Sequence, residues 1–269
     1  MNTCLNITYF GRTDGLPLVM LHGFMGRAAS FDNLVSFLPR AIRPVGIDLP
    51  GHGESLFSRS SCIDGIASFK DVAETILEDL SRLHIEAFWL YGYSMGGRIA
   101  QQVGLSAPGR VKGLILESAS FGIADPEARK MRYDRDCRLF EDVCSSADFE
   151  AFLGRWHDMD LFCTLTPQLK ARLAAAKQKN SILQLEKAMG LMSVGNQPYL
   201  VPALSSAQFP MALFCGEKDV KYRSIAEGGA KNLPKACLRI FKGASHNIHV
   251  QYPRETAGDV RSLVLNRKT

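Results

Sequence analysis

The sequence lacks several features that mark specialised classes of protein. No stretch of its 269 residues approaches eighteen consecutive apolar residues, so we expect no membrane span. The first ten residues lack the basic region and the apolar run of a secretory signal. No run of five or more basic residues occurs, and nucleic-acid binding therefore has little support.

The cysteine pattern lacks the spacing of a metal or redox motif. The count is odd and no pair shows C-x-x-C spacing, which argues against a disulfide framework and against a zinc site. We therefore predict a protein of the reducing cytoplasm, with most cysteines buried as small apolar residues and with no metal or cofactor. The seven cysteines are Cys4, Cys62, Cys137, Cys144, Cys163, Cys215 and Cys237.

What is present fits an ordinary globular protein. Hydrophobic residues make up 46% of the chain and charged residues 22%, which argues against disordered and fibrous classes. The length suits one domain with an insertion better than two equal domains. The net charge of +5 indicates either a solvated basic surface or a local cluster that binds an anionic ligand.

Short apolar runs alternate with longer helical patterns, which predicts a mostly parallel, doubly wound α/β sheet with helices on both faces. The runs are continuous, as expected of strands that are buried on both faces. The predicted strands are Leu18–Leu21, Pro44–Asp48, Ala87–Tyr93, Val111–Glu117, Phe209–Cys215 and Cys237–Phe241. The predicted core helices are Ile66–Leu83, Met95–Ala107, Tyr222–Leu233 and Arg254–Leu265.

One segment, from about residue 124 to residue 199, has no strand pattern and is helical throughout. A helical insertion between two core strands predicts a cap over the carboxyl ends of the strands, where α/β sheets bind ligands. We therefore predict a core of residues 1–123 and 201–269, with a helical cap of residues 124–200. The predicted cap helices are Pro126–Cys144, Ala147–Trp156, Pro167–Lys179 and Ser181–Met192.

The pentapeptide Gly92-Tyr93-Ser94-Met95-Gly96 matches G-x-S-x-G, directly after an apolar strand and before a helical pattern. A strand that turns sharply into a helix strains the backbone at the serine, and flanking glycines allow neighbouring chain to approach. The hydroxyl then projects above the sheet at a helix N-terminus, where the dipole favours negative charge. We therefore predict that Ser94 is the reactive serine.

A reactive serine needs a base, and the base needs an acid that orients it. With this motif the chain order is serine, acid, histidine. Asp219 follows the strand that ends at Cys215, and His246 follows the next strand, so both are predicted partners of Ser94; Glu217 is the rival acid. The other histidines lie in the wrong order, without a strand-end context or past the turn: His22, His52, His84, His157 and His249.

An oxyanion site follows from the same scheme. One donor is the backbone N–H of Met95, and the other is predicted to be the backbone N–H of Phe24, in the loop after the first long strand. The His22–Gly23 pair before it has a conformational role rather than a chemical one. The glycine-rich loop 48–53 is interpreted as support for the rim of the site.

Three motifs together resemble the α/β-hydrolase superfamily: LHGFMG, DLPGHGES and GYSMGGR. Four further stretches narrow the resemblance to one family: Arg98 in GYSMGGR, LESAS followed by ARKMRYDRDCR, FCGEKDVKYR, and GASHNIH. This set is similar to the 2-succinyl-6-hydroxy-2,4-cyclohexadiene-1-carboxylate synthases of menaquinone biosynthesis. The similarity extends from about residue 18 to residue 253.

The resemblance implies a lyase rather than a hydrolase. That family eliminates pyruvate from 2-succinyl-5-enolpyruvyl-6-hydroxy-3-cyclohexene-1-carboxylate, with the triad serine as a base and an oxyanion site for the developing charge. The substrate has three carboxylates, which arginine binds bidentately. The resemblance implies carboxylate binding by Arg98, Arg132 and the basic residue at 177, and a site lined by Tyr93, Trp156 and Lys221.

Each basic residue could also have a purely structural role. The charge of Arg98, in the first helical turn after Ser94, opposes the helix dipole, which favours a functional role. The arginines of the cap segment recur every three residues and mostly form a solvated face, of which Arg132 is the best candidate for substrate contact. Position 177 is lysine where the resemblance leads us to expect arginine, and Arg172 could compensate.

Three functions compete on these observations. The first is a carbon–oxygen lyase of menaquinone biosynthesis that takes a small anionic polycarboxylate. The second is a serine carboxylesterase or carbon–carbon bond hydrolase with Ser94 as covalent nucleophile. The third is a non-catalytic receptor, which an intact triad disfavours. Buried cations separate the first two, because an esterase for neutral esters gains little from them. The chain is expected to act as a monomer or a homo-oligomer.

Overall fold

The computed structural model describes residues 3–57 and 61–265, in which seven strands form one sheet. The strands are β1 (Ile7–Thr8), β2 (Leu16–Leu21), β3 (Ile42–Ile47), β4 (Phe88–Tyr93), β5 (Val111–Glu117), β6 (Met211–Gly216) and β7 (Ala236–Phe241). Their order is β1-β3-β2-β4-β5-β6-β7, with β1 antiparallel and the other neighbours parallel. The sequence therefore predicts the parallel strands correctly and misses the two-residue edge strand.

Helices cover both faces of this sheet. They are α1 (Asp32–Ser36), α2 (Ser61–Asp64), α3 (Phe69–Arg82), α4 (Met95–Ser106), α5 (Pro126–Cys137), α6 (Ser146–His157), α7 (Pro167–Lys177), α8 (Ile182–Met192), α9 (Val201–Ser205), α10 (Val220–Asn232), α11 (Ile248–Gln251) and α12 (Pro253–Leu265). The predicted doubly wound α/β architecture is confirmed.

Two apolar clusters lie on opposite faces of the sheet, and the strands alternate between them. In β2, Val19 and Leu21 belong to one cluster, whereas Leu18 and Met20 belong to the other. All four side chains are fully buried. This alternation explains why the strands have continuous apolar sequences, since neither face meets solvent.

The helical cap is inserted between β5 and β6, as predicted. Its helices α5 to α8 enclose a separate apolar cluster, which includes Phe140, Phe152 and Leu185 and extends to Met25 of the core. The two ends of the insertion meet at its base, where Leu200 N–H donates to the Phe121 carbonyl at 2.8 Å. The boundaries at residues 124 and 200 stay a prediction.

The cysteines differ from the sequence expectation. Cys4 and Cys62 form a disulfide across 58 residues of sequence, where no disulfide was expected. Asp79 fixes the segment around Cys4, because its carboxylate accepts from the main-chain N–H groups of Cys4 at 2.8 Å and Leu5 at 2.7 Å. Spacing rules detect close cysteine pairs, not pairs that the fold brings together.

The expectation that most cysteines are buried is also wrong. Of the five free cysteines, only Cys215 is buried; the four exposed ones are Cys137, Cys144, Cys163 and Cys237. Three of these, Cys137, Cys144 and Cys163, lie in the cap, where many side chains are exposed to solvent. The cytoplasmic location stays a prediction. Within residues 3–57 and 61–265, no helix is long and apolar enough to cross a bilayer.

Candidate active site

Ser94 occupies a sharp turn between β4 and α4. Its backbone has φ 50° and ψ −108°, a strained conformation for a residue with a side chain. The turn is tight enough that a Cβ on Gly96 would lie 2.1 Å from the Leu21 carbonyl oxygen, and one on Gly92 would lie 2.5 Å from the Gly97 Cα. Glycine is therefore required at both positions, as the G-x-S-x-G pattern predicts.

The structure brings the predicted triad together at hydrogen-bond distance. His246 Nε2 lies 3.0 Å from Ser94 Oγ, and His246 Nδ1 lies 2.6 Å from Asp219 Oδ2. Both His246 and Asp219 are buried. Because Nδ1 faces a carboxylate, it carries the proton, and Nε2 is left as the acceptor for the serine proton.

The rival acid points elsewhere. Glu217 Oε2 accepts from Gly243 N–H at 3.1 Å and lies 3.8 Å from the Lys218 ammonium. Its side chain therefore supports the turn before His246 instead of contacting the imidazole. Asp219, two residues later, caps the N-terminus of α10 and accepts from Tyr222 N–H through its second oxygen, at 3.4 Å. The helix start thus fixes the direction of the carboxylate.

The predicted oxyanion donors lie on two segments that pack against each other. A Cβ on Gly23 would lie 2.5 Å from the Tyr93 ring and 3.5 Å from Ser94 Cβ, so the loop that continues into Phe24 touches the serine turn. Met95 is the first residue of α4. The amides of Phe24 and Met95 therefore belong to the segments that flank Ser94, which suits the role predicted for them.

His22 braces this loop. Its Nδ1 donates to the Gly23 carbonyl at 2.8 Å, and its Nε2 accepts from Leu49 N–H at 2.9 Å. Burial lowers the pKa of His22 to about 4, so the ring is neutral at physiological pH. This bonding agrees with the conformational role that the sequence predicts for His22.

Arg98 is a buried cation beside the serine turn. Its side chain is 7% exposed, and Nη1 donates to the Met192 carbonyl of the cap at 2.8 Å. Burial lowers the pKa of Arg98 to about 10, which leaves it charged at neutral pH. Among the described residues, no carboxylate forms an ion pair with it. A buried charge without an ion pair is costly.

Arg132 is held in place by an acid of its own. Its Nε lies 2.7 Å from Asp136 Oδ1, and the other oxygen of Asp136 accepts from the Ser193 hydroxyl at 2.7 Å. The charge of Arg132 contributes to lowering the pKa of Arg98, after burial, so the two guanidinium groups lie close enough to repel. The ion pair with Asp136 uses only the Nε side of the Arg132 guanidinium group.

Lys221 extends this cationic group toward solvent. Its ammonium lies 5.6 Å from the centre of the Tyr222 ring, and its side chain is exposed. Burial of part of the side chain, followed by repulsion from Arg132 and Arg135, lowers the pKa of Lys221. Lys221 and Asp219 line one pocket of about 800 Å³.

Lys177 lies on the other side of the site. It lines a cavity of about 450 Å³ between α7 and the core, together with Phe24 and Tyr93. Burial lowers the pKa of Lys177 to about 8. No acid of the described segments forms an ion pair with it. Arg172, which the sequence offers as compensation, lines the same cavity.

The two aromatic residues predicted to line the site, Trp156 and Tyr93, make different contacts. Trp156 joins cap and core, since its ring lies 5.9 Å from the Phe24 ring and 5.8 Å from the Phe152 ring. The Tyr93 hydroxyl donates to Asn247 Oδ1 at 2.5 Å. Tyr93 therefore offers its ring to the cavity, while its hydroxyl binds the residue after His246.

Sequence reasoning missed two groups of polar residues around the triad. Glu117 and His249 form a buried pair, and Asn247 binds Tyr93. Gln251 accepts from Ser245 N–H at 3.0 Å and donates to the Thr164 hydroxyl of the cap at 2.7 Å. Two sequence signals could have indicated the buried pair: the acidic residue Glu117 at the end of an apolar strand, and the short spacing from His246 to His249.

In the described ranges, no three His, Cys, Asp or Glu side chains are grouped so as to hold a metal ion. The polar groups that converge at the strand ends are instead a serine, a histidine, a carboxylate and several cations. This set suits proton transfer next to an anionic ligand.

Comparisons with known proteins agree on a family. Residues 18–260 match the model of the alpha/beta hydrolase family. The chain is 32% identical over 259 residues to 2-succinyl-6-hydroxy-2,4-cyclohexadiene-1-carboxylate synthase of Yersinia enterocolitica, covering 93% of this chain and 85% of that protein. The structure is similar to MenH from S. aureus, with a TM-score of 0.85 and 26% identity over 96% of this chain and 97% of that one.

The fold is shared more widely. A carboxylesterase structure from Nitrososphaera gargenis has a TM-score of 0.80 and 18% identity, with 96% of this chain and 93% of that chain covered. At this identity the likeness concerns the fold alone. The choice between lyase and esterase chemistry therefore rests on the residues of the site.

Proposed function

Because the chain belongs to the alpha/beta hydrolase family, and within it to the 2-succinyl-6-hydroxy-2,4-cyclohexadiene-1-carboxylate synthases, we propose that it eliminates pyruvate. The substrate is 2-succinyl-5-enolpyruvyl-6-hydroxy-3-cyclohexene-1-carboxylate and the reaction is that of a carbon–oxygen lyase in menaquinone biosynthesis. The catalytic residues are Ser94, His246 and Asp219.

One observation carries the proposal: Arg98 is a buried cation next to the serine turn that has no carboxylate partner among the described residues. Such a charge is stabilised when a ligand supplies the carboxylate. Arg132 and Lys221 extend the cationic group on one side of the triad, and Lys177 provides a cation on the other side. A substrate with three carboxylates fits this arrangement.

The triad geometry supports a proton abstraction. His246 Nε2, 3.0 Å from Ser94 Oγ, takes the serine proton, and Ser94 then takes a proton from the substrate ring. The electrons of that C–H bond form a ring double bond, and the C–O bond to the enolpyruvyl group breaks with its electron pair on oxygen. The leaving enolate takes up a proton to give pyruvate.

The developing charge needs donors that are fixed in advance. We assign this role to the backbone N–H groups of Phe24 and Met95, on the two segments that pack around Ser94. Asp219 stabilises the imidazolium that forms on His246 during the transfer. Tyr93 and Trp156 line the apolar side of the ring site.

The cap of residues 124–200 contributes the remaining contacts. Its residues Arg132, Trp156 and Lys177 come from three different helices, so substrate recognition depends on the packing of the cap on the core. The contact between the Arg98 side chain and the Met192 carbonyl joins the cap to the helix that follows Ser94. We place the reaction in the cytoplasm.

A serine hydrolase is the second candidate. A Ser94 hydroxyl 3.0 Å from a histidine paired with Asp219 equally suits a covalent nucleophile that acts on an ester or a carbon–carbon bond. The unpaired cations argue against neutral esters as substrates, since desolvated charge without a matching anion weakens binding.

The test supplies the enolpyruvyl substrate to the purified protein and follows pyruvate release together with the product chromophore. We expect acceleration over the spontaneous reaction and little turnover of p-nitrophenyl esters. A protein that hydrolyses the esters briskly, yet leaves the spontaneous elimination rate unchanged, would be a hydrolase, and the lyase proposal would be wrong. Ser94→Ala protein serves as the blank for both assays.

A further inference from the structure

A second buried carboxylate–histidine pair lies beside the triad. Glu117, at the end of β5, has both carboxylate oxygens 2.9 Å from His249 Nδ1. The main-chain N–H of His249 donates to the same carboxylate at 3.1 Å, and the Tyr91 hydroxyl donates to it as well. Glu117 is 0% exposed and His249 is 2% exposed.

The pair has no part in the proton transfer described above. In the described part of the chain, no lysine or arginine pairs with Glu117. A carboxylate held away from water is expensive, and hydrogen bonds from Tyr91 and His249 reduce that cost without removing it. An apolar residue at the end of an apolar strand would avoid the cost, so the carboxylate calls for a reason beyond packing.

Its contacts connect the two halves of the triad. The Glu117 carbonyl accepts from Ser94 N–H at 2.8 Å, so the residue that carries the carboxylate also holds the serine turn. The His249 ring packs against the Tyr93 ring at 4.7 Å between centroids. Tyr93 in turn donates to Asn247 at 2.5 Å.

Tyr93 and Asn247 are the chain neighbours of Ser94 and His246. The Tyr93–Asn247 hydrogen bond therefore ties the end of β4 to the loop that carries the base, across 154 residues of sequence. His249, two residues after Asn247, packs against the Tyr93 ring and is itself fixed by Glu117. The serine and the histidine are thus attached to one buried polar network.

We propose that Glu117 and His249 are positioning residues, which hold Ser94 and His246 at the distance that proton transfer requires. Proton transfer is sensitive to small displacements, because a shift of about 1 Å can cost roughly 10²-fold in rate. The kinetic part of this inference rests on the proposed elimination reaction. The geometric part does not, since any use of Ser94 needs the same alignment.

The test compares four variants. His249→Leu removes the ring donor to Glu117, and His249→Gln keeps a side-chain N–H donor. Glu117→Gln removes the charge at constant shape. Asp79→Asn is the matched control, because Asp79 is also 0% exposed and accepts main-chain N–H groups, but it fixes the segment around Cys4 instead of the triad.

Two readouts are needed. The first is kcat and KM for pyruvate release; we expect His249→Leu and Glu117→Gln to lower kcat at least about tenfold with KM nearly unchanged, and His249→Gln to recover most of the loss. The second is the set of imidazole nitrogen resonances of His246, which report its hydrogen bonds to Ser94 and Asp219. These should move in His249→Leu and Glu117→Gln and stay in place in Asp79→Asn.

The opposite results would overturn the proposal. Unmoved His246 resonances with kcat within twofold of wild type would make the pair a packing feature. An equal loss of kcat in Asp79→Asn would assign the effect to general destabilisation. If the wild-type protein shows no elimination at all, the proposed function fails, and the resonances of His246 still decide whether the pair positions the triad.

Discussion

The triad and the cations around it lie within one site but differ in how their polar groups are satisfied. His246 bonds at both ring nitrogens, to Asp219 at 2.6 Å and to Ser94 at 3.0 Å. Arg98, by contrast, is a buried charge and Lys177 a half-buried one, and neither has a carboxylate partner in the described part of the chain. The triad is complete without substrate, whereas the cations become complete only when an anion binds.

This difference separates two tasks. The triad residues follow three parallel strands, β4, β6 and β7, so in the proposed reaction the edge of the sheet determines where the proton moves. Most of the cations come from the cap or contact it, as Arg98 does through the Met192 carbonyl. Under the proposed function, the cap face therefore determines which ligand is accepted. Removal of a triad group should abolish chemistry, and removal of a cation should change recognition.

Ser94→Ala tests the first half of this comparison and should have the largest effect. Loss of the proton acceptor should lower kcat for pyruvate release by about 10³-fold, with little change in substrate affinity. Ser118→Ala is the matched control, because Ser118 also directly follows a neighbouring strand and has a positive φ, and its hydroxyl is not bonded to Ser94 or His246. Steady-state kinetics of both variants measures the difference.

A small loss of kcat in Ser94→Ala would contradict the division of tasks between the triad and the cations. If Ser94→Ala retains more than a tenth of the wild-type kcat while Ser118→Ala is fully active, the proton does not pass through the Ser94 hydroxyl. The cations alone would then promote elimination by stabilising the leaving group. Substrate binding by the Ser94→Ala protein, measured by calorimetry, shows whether the cation sites remain intact.

Arg98→Met tests the second half and should rank next. Loss of a buried carboxylate partner should lower kcat/KM by about 10²-fold. The same change should leave the free energy of unfolding without substrate unchanged or raised, because an apolar residue replaces an unpaired buried charge. Arg110→Met is the control, since Arg110 also donates to main-chain carbonyls, at Ile85 and Leu77, but lies at the opposite end of the sheet.

The two signs together decide the role of Arg98. Lower kcat/KM with equal or higher stability assigns it to the ligand. A fall in stability similar to that of Arg110→Met, with less than a tenfold change in kcat/KM, would make Arg98 a structural link between α4 and the cap. Urea unfolding and kinetics on the same preparations provide both quantities.

The sequence predicted the two halves of the site unequally. The triad could be placed from sequence because each member follows an apolar strand and parallel strands end at one edge. Arg98 was visible as a cation against the helix dipole. The pair of Glu117 and His249 was not, because its members are 132 residues apart and meet only through the docking of α11 on β5.

Cap docking accounts for much of what the sequence could not predict. The sequence shows that position 177 is basic, but the burial of Lys177 depends on how α7 packs over the loop that contains Phe24. The same holds for Trp156, whose contact with Phe24 crosses the cap–core boundary. Helical periodicity predicts which segments are helices and does not fix the angle at which they pack.

Lys177 makes the cation side sensitive to pH. Its pKa of about 8 lies below the ordinary value because the ammonium is buried, so the free enzyme loses this charge as the pH rises above about 8. The charged form binds carboxylate, and kcat/KM should therefore fall at alkaline pH, by up to about tenfold per pH unit. Neighbouring His52 and His157 have pKa values of about 3 and 4, far below this range.

Lys177→Arg is the matched variant, because arginine keeps its charge throughout this range. Its kcat/KM should stay level between about pH 7 and about pH 9, a range that spans the lysine titration and lies below the pKa of about 10 of Arg98. Identical alkaline limbs in wild type and Lys177→Arg would assign the fall to another group. Lys177 would then not be one of the cations that bind the substrate.

Lys221 should give the smallest effect and marks the outer limit of the cation side. Its side chain is exposed, and an exposed charge contributes about 0.2–1 kcal/mol, so Lys221→Met should raise KM less than about fivefold and only at low salt. Lys218→Met is the control, since Lys218 lines the same pocket and lies 3.8 Å from Glu217. Equal responses of the two variants would show that this rim attracts anions without contacting them, and would confine substrate recognition to the buried cations.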